Sequence, residues 1–191
     1  MRDEVYYKER LAAERLQQCY QLATPRVKQY LRAEVEFVVA RLRRDDIVPD
    51  LGCGYGRTTP AFARFARLTV GTDNSLASLR LARLQLGDAN NRRLVCADAR
   101  RLAFASASFD RVVRIQNGIS AFHVDRRVLV RDVVLGEIDR TATRDGVIVC
   151  KDGFTAGTVH EDEFRTLVAH LDVELQSFEV DNSSVFFLLR V

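Results

Sequence analysis

The chain has 191 residues, 47% hydrophobic and 29% charged, a composition that excludes intrinsic disorder and collagen-like repeats and suffices for one good core. Its 29 basic residues stand against 26 acidic ones, and a net charge of +3 does not by itself call for a nucleic-acid or membrane partner. All the basic residues except Lys8, Lys28 and Lys151 are arginines, which suits a surface laced with ion pairs. The four cysteines, Cys19, Cys53, Cys96 and Cys150, include no C-x-x-C pair and no histidine at zinc spacing, so no metal site is expected and the thiols are read as small buried hydrophobes. The N-terminal residues lack an apolar signal core and no apolar run reaches membrane-spanning length, which predicts a cytoplasmic, reduced protein.

In chain order, Leu11, Ala12, Leu16, Cys19, Tyr20 and Ala23 fall at helical spacing, predicting a helix over 8–23. Thr24-Pro25 then reads as the cap and first position of a second helix, whose apolar stripe is Val27, Tyr30, Leu31, Val35, Val38 and Leu42. A short strand at 46–50 runs into Leu51-Gly-Cys-Gly-Tyr-Gly56, and Thr58-Thr59-Pro60 opens another helix: strand, glycine loop, helix. Further strands are read at 68–73, 93–97 and 109–116, with a helix from about Ser75 between the first two. Pro49 cannot donate a ladder hydrogen bond, so an irregularity or a strand end is expected there. The spacing predicts a helix at 128–135, a buried strand at 146–150, and a helix behind the capping box Thr158-x-x-Glu161 that uses Phe164, Leu167, Val168 and Leu171. The runs 173–180 and 184–191 form an antiparallel pair at a sheet edge. Alternating strands and helices imply a doubly wound, three-layer α/β domain, single over 1–191, with an N-terminal helical extension at 1–44 and a core at 45–191.

Open parallel sheets bind ligands beyond the carboxyl ends of their strands, and four successive ends here carry Asp50 with the glycine loop, Asp73, Asp98-Ala99 and Gln116-Asn117. Asp73 falls 21 residues after Gly52, where an acid accepts hydrogen bonds from a ribose. The loop is G-x-G-x-G behind an acid, not the G-x-G-x-x-G of dinucleotide sites. A carboxylate there repels a pyrophosphate but balances, directly or through water, the ammonium and sulfonium of S-adenosylmethionine. The methionyl carboxylate is left to the loop amides or the helix N-terminus.

Val48-Pro-Asp-Leu-Gly-Cys-Gly-Tyr-Gly-Arg57 resembles the first motif of the class I S-adenosylmethionine-dependent methyltransferases. Val70-Gly-Thr-Asp73-Asn-Ser is similar to the second, Cys96-Ala-Asp98-Ala99 to the third and Ser108-Phe-Asp110-Arg-Val-Val to the fourth-strand motif, all in order. The resemblance implies a Rossmann-like, mostly parallel seven-stranded sheet with an antiparallel last strand. It implies a cofactor site made of Asp50, Gly52, Cys53, Gly54, Gly56, Asp73, Asn74, Asp98, Ala99 and Gln116, with S-adenosylhomocysteine as product. Tyr6, Tyr7 and Tyr20 either cover that site as an aromatic lid or pack in the core. Arg144-Asp-Gly146 replaces the Pro-Gly-Gly turn before the fifth strand and the helix before it is weak, so 117–159 is expected to be abridged or rewired. Asn117-Gly-Ile-Ser lacks the Asn-Pro-Pro-aromatic pattern of members that methylate adenine, cytosine and glutamine nitrogens, so those substrates are not expected.

The acceptor is expected to be a small molecule, because no RNA-binding domain or basic extension accompanies the core. An RNA acceptor, an inactive cofactor-binding module and a nicotinamide oxidoreductase are the competing readings. His123, with Asp125 near it, is the candidate general base, needed only for an acceptor that must lose a proton. Asp110 is read as structural, and the oligomeric state is left open.

Overall fold

The computed structural model describes residues 11–98, 102–105, 108–115, 129–138, 161–169, 174–181 and 184–190. Two helices come first, α1 (Ala13–Gln21) and α2 (Pro25–Val39), followed by β1 (Ile47–Leu51), α3 (Thr59–Ala63), β2 (Leu68–Asp73), α4 (Leu76–Leu86) and β3 (Arg92–Cys96). β4 (Phe109–Arg114), β5 (Leu129–Ile138), α5 (Glu161–Val168), β6 (Glu174–Val180) and β7 (Ser184–Arg190) complete the described elements. The helix starts follow local chemistry. Thr24 Oγ1 accepts from the Val27 amide with Pro25 at the first position of α2, and Ser75 Oγ accepts from the Ser78 amide to cap α4.

Among the described residues the seven strands form one sheet in the order β3-β2-β1-β4-β5-β7-β6. Its ladders are parallel except those of β7, which runs antiparallel to both β5 and β6. The chain starts in the centre at β1, winds outward through β2 to β3, then returns to β4 on the other side of β1. That reversal opens a crevice at the carboxyl ends of β1 and β4, the place where such sheets bind ligands.

Each sheet face carries its own core. On one face Val38 of α2 and Phe62 and Ala66 around α3 pack on Val48, Val113, Phe186 and Leu188. On the other, Phe164 of α5 and Leu102 pack on Leu51, Val70, Val112 and Phe187, with the Phe164 and Phe187 rings stacked at 4.3 Å. Val112 and Val113 point to opposite faces, as strand alternation demands. α1 lies against α4, where the Ala13 amide donates to Ser78 Oγ at 2.9 Å.

Pro49 sits in the middle of β1, and its ladder with β2 runs unbroken from Ile47↔Leu68 to Leu51↔Thr72. The irregularity falls on the other side. The Gly52 amide bonds to Thr72 on β2, so by alternation the odd residues of β1 turn their amides toward β4, and Pro49 has none to give. The β1–β4 ladder is reduced to Asp50↔Val113, and the Ile47 amide is taken by Asp110 Oδ2 at 2.8 Å. Asp110 thus substitutes for a ladder carbonyl, a structural role.

The expected helix at 128–135 is instead strand β5. A slot between β4 and β7 exposes two unpaired ladders, and a β-branched stretch that pairs with both satisfies more backbone groups than a helix there would. The run 146–150 and residues Thr158 and Leu171 lie outside the described residues. The thiols also differ from expectation: Cys53 is buried, whereas Cys19 and Cys96 are exposed, and Cys150 lies outside the described residues.

Candidate active site

The glycine loop leaves β1 with Gly52, Gly54 and Gly56 at φ of +73°, +55° and +83°. Side chains rarely adopt this region, which is why the sequence spends three glycines here. A Cβ on Gly52 would enter open space, whereas one on Gly54 would meet Leu16 Cδ2 of α1 at 2.9 Å. The loop is therefore bare toward the crevice at Gly52 and covered by α1 at Gly54.

Hydrogen bonds fix the loop from both sides. The Gly52 and Cys53 amides donate to the Thr72 carbonyl at 2.8 and 3.0 Å, and the Gly56 amide donates to Cys53 O at 2.9 Å. The Gly54 amide donates to Asp73 Oδ2 at 2.9 Å, while Asp73 Oδ1 accepts from the Ser75 amide at 2.7 Å. The amides of Gly52, Cys53, Gly54 and Gly56 are thus bonded within the protein, which leaves fewer loop amides for the anion that the sequence reading assigned to the loop or the helix N-terminus. α3, with five residues, is also too short to provide a helix N-terminal site.

Asp50 is 2% exposed, and its Oδ2 accepts from Thr58 Oγ1 at 2.7 Å and Thr59 Oγ1 at 2.8 Å. Burial raises its carboxyl above the ordinary value, opposed by the two threonine hydroxyls and the Arg57 charge. Asp73 is raised for the same first reason, with the Ser75 and Gly54 amides and the Arg114 charge pulling it back. Burial pushes the Cys53 thiol well up, helped by the carboxylates of Asp50 and Asp73, so it stays a neutral packing group.

A small pocket, open to solvent, lies over this loop. Leu16 and Tyr20 of α1, Asp50, Gly52, Cys53, Gly54, Tyr55, Arg57, Thr58 and Ile115 are among its lining residues. The Tyr20 ring lies 6.1 Å from that of Tyr55, and the Arg57 guanidinium stands 4.7 Å from the Tyr20 centroid. That contact is within cation–π range. Burial raises the Tyr20 phenol, opposed by Arg57 and reinforced by Glu34, which α2 buries completely. Leu16, Tyr55, Arg57, Thr58, Thr59 and Ile115 join the site only in the folded structure. The nearest signal was the polar run Arg57-Thr-Thr59 immediately after the loop.

Of the expected cofactor residues, Asp50, Gly52, Cys53 and Gly54 line the cavity. Gly56 packs the loop toward Ala82 and Leu86 of α4. Asp73 is bound to the loop, and the Asn74 carbonyl lies 4.0 Å from Cys96 Sγ. Asp98 follows the end of β3, where the Ala97 amide bonds to Asp73 O at 3.0 Å. Ala99, Gln116, His123, Asp125, Tyr6 and Tyr7 lie outside the described residues. No group of three or more metal-ligating side chains and no helix able to cross a membrane occurs among the described residues.

A carboxylate and a guanidinium facing one cavity are the complement of a zwitterionic amino acid. Comparison with known proteins gives the class: residues 49–150 match the family model described as "Methyltransferase domain". The chain belongs to that family, the class I S-adenosylmethionine-dependent methyltransferases. No curated protein matches it. It is similar in fold to a SAM-dependent methyltransferase from Aquifex aeolicus, at 15% identity, TM-score 0.69, covering 92% of this chain and 97% of that one. A putative S-adenosyl-L-methionine-dependent methyltransferase from Methanococcus maripaludis gives 15% identity, TM-score 0.70 and 95% and 94% coverage. Magnesium protoporphyrin IX methyltransferase from Synechocystis PCC 6803, with bound SAM, gives 14%, 0.68, and 98% and 96%.

Proposed function

We propose that this chain, one domain with its helical extension at 1–44 and its core at 45–191, transfers a methyl group from S-adenosylmethionine to a small-molecule acceptor. The observation that carries the reading is the placement of Asp50 and Arg57 on one cavity over a loop left open at Gly52. Asp50 Oδ2 is held by the two threonines, and no hydrogen bond to Oδ1 is found among the described residues, which leaves that oxygen for the cationic ammonium or sulfonium side. Arg57 takes the carboxylate, a role favoured by the internal bonding of the Gly52, Cys53, Gly54 and Gly56 amides. Asp73, with Asn74, receives the ribose hydroxyls, Asp98 and Ala99 border the adenine, and Gln116 borders the methyl group.

When bound, the cofactor supplies a methyl carbon on a sulfonium, a good leaving group. The chain's part is to orient and to exclude water. Tyr20 and Leu16 close the cavity from α1, and alignment of nucleophile, carbon and sulfur is worth ~7–11 kcal/mol of barrier without a protein nucleophile. His123 acts as a base only for an acceptor that must lose a proton. The closure by α1 favours a small acceptor over a polymer, and the free thiols of Cys19, Cys53 and Cys96 fit a reducing cytoplasm.

Calorimetric titration tests the reading, with S-adenosylmethionine and S-adenosylhomocysteine as ligands and NAD as control. Both adenosyl ligands should bind, NAD should not, and Asp73→Ala should weaken binding at least tenfold. Well-folded protein that binds neither adenosyl ligand would overturn the proposal.

A further inference from the structure

At the opposite end of the strands from the cavity, the segments before β1 and β2 and the first residues of β3 are rich in arginine. The turn before β1 carries Arg43 and Arg44 and the segment before β2 carries Arg64 and Arg67. β3 itself opens with Arg92 and Arg93, which point to opposite faces of the sheet, Arg93 Nη1 donating to the Ala89, Asn90 and Arg92 carbonyls. All but the half-buried Arg92 are exposed.

Backbone hydrogen bonds weld these segments into one rim. The Asp46 carbonyl accepts from the Arg67 amide at 2.9 Å, tying the first to the second. Asn91 Nδ2 donates to Ala63 O at 2.5 Å, and Asn91 O accepts from the Thr69 amide at 2.9 Å, tying the second to the third. Three neighbouring strand starts span about 10 Å.

Negative charge along this rim is sparse. Asp46 is buried, with Oδ2 accepting from the Arg43 amide at 2.9 Å and lying 3.7 Å from Arg111 Nε. Asp88 is exposed and lies 3.6 Å from the exposed Arg83, and Asp45 is exposed as well, so two exposed carboxylates stand beside six guanidiniums. In the middle of the basic run, between Arg64 and Arg67, Phe65 is 43% exposed. An exposed aromatic flanked by arginines has a free face on which a base can stack, while the arginines engage the phosphates on either side.

We propose that this rim binds a single-stranded polynucleotide, with the arginines on its phosphates and Phe65 under one base. An acidic protein would be served by the charge alone and would leave the phenyl ring unexplained. The β2 strand between the two ends has six residues, about 20 Å, so the nucleotides held at the rim are not themselves at the cavity, and the rim acts as a tether. The inference therefore stands whether or not the reaction proposed above is correct.

The test is fluorescence anisotropy with a labelled twelve-residue oligouridine over a range of salt concentrations, with far-UV circular dichroism melts as the folding control. Wild type should bind with a log–log salt slope of about 2 to 3, corresponding to three or four phosphates at ~0.7 each. Arg64→Glu with Arg67→Glu, both exposed, should leave the melt unchanged, weaken binding at least tenfold and cut the slope by about 1.4. Phe65→Ala should weaken binding about fivefold or more with the slope unchanged. Absence of binding at 50 mM salt, or affinity indifferent to the charge reversal, would overturn the proposal. So would a polyglutamate peptide that displaces the oligonucleotide together with a neutral Phe65→Ala, which would assign the rim to an acidic protein.

Discussion

Asp50 and Asp73 are carboxylates whose local chemistry is set by opposing terms. Burial favours their protonated forms, while hydroxyls, amides and arginine charges favour the ionised ones, and burial is the larger cause for both. A folded-state pKa raised above the unfolded value near 3.9 means that the native chain holds a proton the unfolded chain has released. The resulting stability is present below about pH 4 and is lost as pH rises through the raised value. Asp50→Asn keeps an oxygen for Thr58 and Thr59 but does not titrate. Its urea midpoint should gain on wild type as pH rises from 4 to 7, and parallel profiles would show that burial does not govern this group. Affinity for S-adenosylmethionine should move the other way: it should rise with pH in wild type, where ionised Asp50 is the counter-charge, and more weakly in the variant.

At the scale of the element, α1 and the glycine loop act as one unit, because Leu16 occupies the space beside Gly54. Gly54→Ala combines a positive φ with a Cβ 2.9 Å from Leu16 Cδ2, and should cost about 1–3 kcal/mol in urea unfolding. Leu16→Ala removes the clash but not the backbone strain, so the double variant should recover part of that loss beyond additivity. Strict additivity would mean that α1 does not rest on the loop. The glycine loop, Thr24 and Ser75 were legible in the sequence because turns and caps are local chemistry. The holding of Asp50 by Thr58 and Thr59, eight and nine residues on, and the burial of Glu34 beside Tyr20 were not, because side-chain orientation after folding decides them. β5 is not legible for the same reason: its short-range pattern is ambiguous, and the two ladders that claim it belong to distant segments.

Across the whole molecule, the mostly parallel sheet with its antiparallel last strand, which the resemblance implied, is secured at contacts that no motif records. Arg26 of α2 reaches Asp181, in the turn between β6 and β7, through Nη1 to Oδ2 and through Nη2 to the carbonyl at 2.6 Å, and Gln29 joins at 3.1 Å. The N-terminal helices are thereby fastened at one end to the far sheet edge and at the other to the loop. Cofactor binding under α1 should accordingly stabilise the molecule as a unit. A ligand at 100 times its Kd adds about 2.7 kcal/mol. For a chain of this size each kcal/mol is worth ~2–4 °C, so saturating S-adenosylhomocysteine should raise the melting temperature by roughly 5–11 °C. Arg26→Ala releases the far fastening without touching the cavity. It should lower the ligand-free melting temperature while leaving most of the ligand-induced rise, as read by scanning calorimetry with and without ligand. A rise abolished in Arg26→Ala would instead show that the site depends on the far edge of the sheet for its assembly.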